Sequence, residues 1–202
     1  MAIVYRQRAS QLFDSEGPEA ALADLDSCLT LQPEDQEAMR LRGDIHVQLG
    51  NHQKAIVDYS ALLELNPGDE DSLFARGRSR HALNRYKEAV ADFTEILLIS
   101  SIPDIAYTER ARAHAALNLF DEAIHDFSEA ILIEPSNLGI ISPELADILR
   151  LRGEHYFADS AFAAAIVDFK RALAMDESLF PRVKSSFSQS HYSLGSQGMK
   201  KK

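Results

Sequence analysis

Apolar residues recur along this chain three and four positions apart, in bursts of about a dozen residues divided by turn formers. In one burst Met39, the pair Arg42-Gly43 and His46 share one helical face, and Gly50-Asn51 ends it. Later bursts break at Asn84 and Asn118, and asparagine tolerates the left-handed conformation that closes a helix. A second apolar burst follows each break, as from Lys87 to Ile99 and from Asp121 to Glu134, and Pro67 and Pro135 prevent its continuation. The pattern predicts an all-α chain of paired helices.

These pairs repeat in register. Arg8-Ala9, Arg42-Gly43, Arg76-Gly77 and Arg110-Ala111 lie 34 residues apart, and Arg152-Gly153 follows after 42, so eight residues are inserted. Twelve places beyond each small residue stand Ala21, Ala55, Ala89, Ala123 and Ala165. Fifteen places beyond stand Asp24, Asp58, Asp92, Asp126 and Asp168, followed by Leu25, Tyr59, Phe93, Phe127 and Phe169. Four places before stand Tyr5, Met39, Leu73, Tyr107 and Leu149; twenty-four beyond stand Pro33, Pro67, Ser101, Pro135 and Glu177.

This register resembles the tetratricopeptide repeat, in its Arg-Gly/Asp-Phe subset, over residues 2–177, departing from it where Ser101 and Glu177 replace the closing proline. The resemblance implies a right-handed α-α superhelix, a solenoid of five helix-turn-helix repeats within residues 1–181. The repeats are expected at 2–35, 36–69, 70–103, 104–137 and 146–179, with an insertion near 136–145. A capping helix at 182–195 and a disordered basic tail at 196–202 complete the expected organisation. The apolar insertion reads as a longer loop folded on the chain's own surface, or covered by a partner, ahead of a helix start at Ser142-Pro143-Glu144.

Glycine inside a helix costs about 1 kcal/mol relative to alanine, so Gly43 and Gly77 predict a close approach by another helix. The alanines of the second helices are expected to face these small residues, and the aromatics to fill the space between successive repeats. Arg8, Arg42, Arg76, Arg110 and Arg152 recur with Asp24, Asp58, Asp92, Asp126 and Asp168. They predict a structural ladder of Arg–carboxylate pairs, within or between neighbouring repeats, because guanidinium and carboxylate match through two parallel hydrogen bonds. Ligand binding by these arginines is the alternative.

A neighbouring face of each first helix carries Arg6, Ser10 and Phe13; Arg40, Asp44 and Val47; Phe74, Arg78 and His81; Thr108, Arg112 and Ala115; and Arg150, Glu154 and Phe157. The family resemblance implies that this face lines a concave peptide-binding groove. Five arginines interleaved with apolar residues then suit an extended peptide with acidic and apolar side chains, or an acidic C-terminus. The Lys, Asn and Arg clamp by which some related co-chaperones grip chaperone tails has no counterpart here. The matching places hold Arg6, Ser10, Leu41, Asp71 and Ala75, or Arg40, Asp44, Ala75, Ile105 and Glu109.

Charge narrows the partners. The chain carries a net −10, divided into −15 over residues 1–181 and +5 over the last 21. An acidic body lacks the basic face that nucleic acid demands. No apolar run approaches the ~20 residues of a membrane span, and the start lacks a signal-peptide pattern, so a cytoplasmic or nuclear protein is expected. The single Cys28 reads as a buried small hydrophobe, and none of the seven histidines shows a metal spacing. No phosphate loop or nucleophile elbow is present, and carboxylates lie mostly on second helices. The expectation is therefore a scaffold or adaptor with a protein partner, no catalysis, no cofactor and no metal. The alternatives are a structural subunit docking through its ends or the 136–145 insertion, and a co-chaperone with a non-standard chaperone-tail site.

Overall fold

The computed structural model describes residues 1–199 of the 202-residue chain, and all regular structure among them is helical. The chain divides into two compact units, Met1–Glu109 and Arg110–Lys202. The first holds α1 (Ala2–Glu16), α2 (Pro18–Leu31), α3 (Gln36–Gln48), α4 (His52–Leu65), α5 (Glu70–Ala82), α6 (Tyr86–Ile99) and the opening turns of α7 (Asp104–Ala116). The second holds the rest of α7, then α8 (Phe120–Ile133), α9 (Leu138–Ala158), α10 (Phe162–Met175) and α11 (Phe180–Met199). Each unit is built from successive helical hairpins of the tetratricopeptide solenoid type, each hairpin packed on the next within its unit.

Local chemistry sets the helix ends. The Asp35 and Asp69 side chains accept from the backbone N–H of Ala38 at 3.0 Å and Ser72 at 3.1 Å, satisfying donors that open α3 and α5. The turns inside hairpins two to five place Gly50, Asn84, Asn118 and Ser160 in one slot, with φ of 71°, 60°, 59° and 61°. Glycine and asparagine adopt this left-handed conformation readily; Ser160 carries strain there.

The small residues of the first helices make room for rings of their own hairpins. A Cβ at Gly43, Gly77 or Gly153 would stand 2.9 Å from Tyr59, 2.8 Å from Phe93 or 2.7 Å from Phe169. Those rings are fully buried, so the closest fit of each aromatic lies within its hairpin and not only between repeats. Tyr59 also joins a cluster that reaches Leu29 and Ala75 of the flanking hairpins.

The insertion is not a loop. After a single 3-10 turn at Pro135–Asn137, the chain enters α9 at Leu138, and Pro143 lies inside that helix instead of starting it. Ile141 and Leu145 are buried within this extension. Burying them stabilises the extra turns by about 1.5–3 kcal/mol each, enough to offset the donor lost at Pro143. α11 starts two residues before the expected cap and runs to Met199, through residues 196–199 of the expected tail. Its Val183 and, less deeply, Phe187 cover Ala165 and Phe169 of α10. Residues 200–202 of that expected tail lie outside the described residues.

Candidate binding surface

The five recurring arginines each reach the recurring aspartate of the same hairpin. Arg42 donates to Asp58 from Nε at 3.1 Å and Nη2 at 2.6 Å. Arg110 donates to Asp126 at 2.9 and 2.7 Å, and Arg152 to Asp168 at 2.7 and 2.8 Å. Arg76 reaches Asp92 with its shortest bond at 2.7 Å, and Arg8 grips Asp24 through two nitrogens. All five carboxylates are buried. Some arginines tie in the preceding hairpin as well: Arg42 to Asp26 at 2.6 Å, Arg76 to Ser60 at 3.3 Å, and Arg152 to Asp121. Within each hairpin the pair therefore joins first helix to second, and its guanidinium is occupied by the chain itself.

These pairs and one buried histidine make stability acid-sensitive. Bonding to Arg8 holds the Asp24 carboxyl below its usual range. Burial pushes the Asp126 carboxyl up, but bonds from His114, 2.9 Å away, and from Arg110 outweigh it and leave the group below its usual range. Burial, opposed by Asp58, lowers His46. For each group the unfolded chain binds its proton first as pH falls, so folded stability drops with acid. Loss is expected in two stages, the first below about pH 6.5 from His46 and the second below about pH 4 from the aspartates. Urea unfolding against pH checks this, and His46→Gln should remove the upper stage.

In unit one, the expected groove residues part into occupied and free. Arg6 bonds Asp35 at 2.7 Å and Glu37 at 2.8 Å, and Arg40 bonds Asp69 at 2.8 Å. Phe13 packs on the core of the first hairpins, while Ser10 is exposed. His81 meets the Tyr86 ring at 5.1 Å between centroids, and Thr108 donates to the Asp104 carbonyl at 3.0 Å. Arg78 differs: it is exposed, lies 5.9 Å from the centre of the Phe74 ring, and forms no ion pair among the described residues.

Arg78 and Phe74 wall a cleft of about 370 Å³ with Asp44, Val47, His52 and Tyr59. Tyr59 donates its hydroxyl to Asp44 at 2.7 Å. Burial first, then the Asp44 carboxylate, push that phenol well above its usual range, so it remains a donor through neutral pH. The buried Nδ1 of His52 has no hydrogen-bond partner among the described residues. The cleft thus combines apolar walls, a free guanidinium and an anchored carboxylate.

In unit two, Arg112 forms a two-pronged pair with Glu144 at 2.8 and 2.7 Å. Arg150 is buried and bonds Asp147 and Glu154, each at 2.8 Å; Phe157 packs on Phe162, with ring centres 5.8 Å apart. Ala115 is half-buried. The five arginines expected on this face are thus not equally free: Arg6, Arg40, Arg112 and Arg150 are paired with the chain's own acids. Asp35, Asp69 and Glu144 were the missing partners. The first two were legible, since they stand 29 residues beyond Arg6 and Arg40 in the repeat register; Glu144 sits in the insertion, which breaks that register.

No group of three or more metal-ligating side chains occurs among the described residues, and no helix among them is long and apolar enough to cross a membrane. The family model for the tetratricopeptide repeat matches residues 6–70, 71–139 and 108–179. No curated protein matches the chain. Among solved structures, YrrB, described as a TPR protein with an unusual peptide-binding site, superposes with a TM-score of 0.68 at 20% identity, covering 92% of each chain. MamA from Desulfovibrio magneticus RS-1 gives 0.63 at 19% identity over 88% of this chain and 96% of its own. A tetratricopeptide repeat protein from Parabacteroides merdae ATCC 43184 gives 0.63 at 21% identity over 94% and 84%. At these identities the likeness is one of fold.

Proposed function

Because the chain belongs to the tetratricopeptide repeat family, a fold for protein–protein interaction, we propose that it is a non-catalytic adaptor that holds a partner peptide in the Arg78 cleft of unit one. The observation that carries this reading is the free Arg78 guanidinium over the Phe74 ring at the mouth of an apolar cleft. The chain shows what such an arginine accepts. Arg6, Arg40 and Arg112, on the same helical face, each hold a carboxylate. A partner that brings an acidic side chain to Arg78 and a large apolar one to Val47 and Phe74 would complete the series. The peptide-binding site described for YrrB supports the reading at the level of the fold.

Selection from a random peptide display library tests it. The selected peptides should pair an acidic residue with a bulky apolar one, and Arg78→Glu should lower their affinity at least about tenfold, the loss of one charge-assisted contact of 1.5–3 kcal/mol. Enrichment of basic peptides, or equal binding by Arg78→Glu, would contradict it. If the carboxylate is a C-terminus, as in the co-chaperone variant, amidating the peptide end abolishes binding.

A further inference from the structure

The connection between α6 and α7 departs from the polar pattern of its counterparts. Thr30, Glu34 and Glu37 after the first hairpin correspond to Glu64, Gly68 and Asp71 after the second. After the third, the same places hold Leu98, Ile102 and Ile105, which are 75%, 72% and 57% exposed. Ile102 and Ile105 line a cleft of about 210 Å³ with Ile96 and Phe74, and Glu70 and Asp71 form its acidic side. Glu70 and Asp71 are exposed and have no ion pair among the described residues. Leu98 has an equally exposed counterpart in Leu132 after the fourth hairpin, but Ile102 and Ile105 stand where the other hairpins keep polar residues or glycine, and such an exposed apolar pair marks a contact surface.

The reciprocal surface is on α11. Its inner face is bound to α10, yet Tyr192 is 81% exposed and Phe180 47%. Lys184 is exposed one helical turn after Phe180, lies about 12 Å along the axis and about 80° round the helix from Tyr192, and forms no ion pair among the described residues. The helix carries no acid, whereas residues 1–181 carry −15. An apolar cleft edged with acids is thus matched in chemistry by an uncovered aromatic and a lysine on one helix.

We propose that the α6–α7 cleft receives the outer face of α11 from a second copy of this chain, with Tyr192 in the cleft and Lys184 against Glu70 and Asp71. One such contact leaves a free cleft on one copy and a free helix on the other, which a reciprocal two-fold pair, a ring or an open chain of copies would each satisfy. Assembly is driven by apolar burial and weakened by salt through its lysine. This self-association uses a different cleft from peptide capture at Arg78, although Phe74 lines both.

Sedimentation velocity over a concentration series tests the proposal. The wild-type weight-average mass should rise with concentration to at least roughly twice the monomer value. Chains carrying Ile102→Asp with Ile105→Asp, and chains carrying Tyr192→Ser, should each remain monomeric. Mixed, they should form a one-to-one pair and stop there, because one brings an intact helix and the other an intact cleft. That recovery also shows that both variants are folded. Arg78→Glu should leave assembly unchanged. A wild type that stays monomeric, an assembly indifferent to Tyr192→Ser, or a mixture that fails to pair would each overturn the proposal.

Discussion

Asp92→Ala should destabilise unit one by about 3–5 kcal/mol, the loss expected when one partner of a buried ion pair is removed. Asp92 is buried and ion-paired with two guanidiniums, Arg76 at 2.7 Å and Arg80 at 2.5 Å. Their side chains are only 17% and 16% exposed, so neither regains much water when the carboxylate goes. Two like charges would be left facing each other in a poorly solvated seam. Asp24→Ala should cost clearly less, because the Arg8 side chain is 59% exposed and rehydrates. Urea unfolding gives the two losses, and amide exchange should localise the first to α5 and α6. Equal losses would show that burial of the arginine does not set the strength of each rung.

Gly77→Val is expected to be the second large effect. A Cβ there would lie 2.8 Å from Phe93 Cε1 and 2.9 Å from its Cζ, and Phe93 has no solvent-facing space to turn into. Overpacking of this kind costs about 1–3 kcal/mol, more than the helix propensity gained by replacing glycine. The chain contains its own remedy, since the first hairpin places Ala9 in the glycine's slot and Leu25 in the ring's. Gly77→Ala with Phe93→Leu should therefore be better tolerated than Gly77→Val alone, which a double-mutant cycle by thermal unfolding measures. A Gly77→Val chain as stable as wild type would mean that the first and second helices of this hairpin can separate freely.

The helical hairpins and their order were legible in the chain because stacking forces the same steric solution at each repeat. Small residue, aspartate and aromatic keep fixed offsets wherever the geometry is repeated. The insertion was misread because its helix rests on Ile141 and Leu145, whose burial overrides the usual reading of Pro143 as a helix start. Which residues of the expected binding face are already paired was not legible for another reason. Periodicity places a side chain on a face but does not say whether another part of the chain already holds it. Arg6 and Arg78 share that face, yet Arg6 is neutralised by an N-capping aspartate from the next hairpin. The third hairpin carries Phe74 where Arg6 and Arg40 stand in the first two, and Pro103 where Asp35 and Asp69 would recur. That break supplied the ring beside Arg78, and the acid it lacks is the partner of the Phe74 place and not of Arg78.

The cleft walled by Phe74 and Arg78 is the surface on which the adaptor role rests, and site-specific photo-cross-linking tests it most directly. Benzoylphenylalanine in place of Val47 stands on the cleft wall, whereas in place of the exposed Val57 it lines none of that cleft. With a peptide selected on the wild type, the account predicts a covalent adduct at position 47, its loss on adding Arg78→Glu, and none at 57. Equal adducts at both positions, or an adduct at 47 that survives Arg78→Glu, would contradict it.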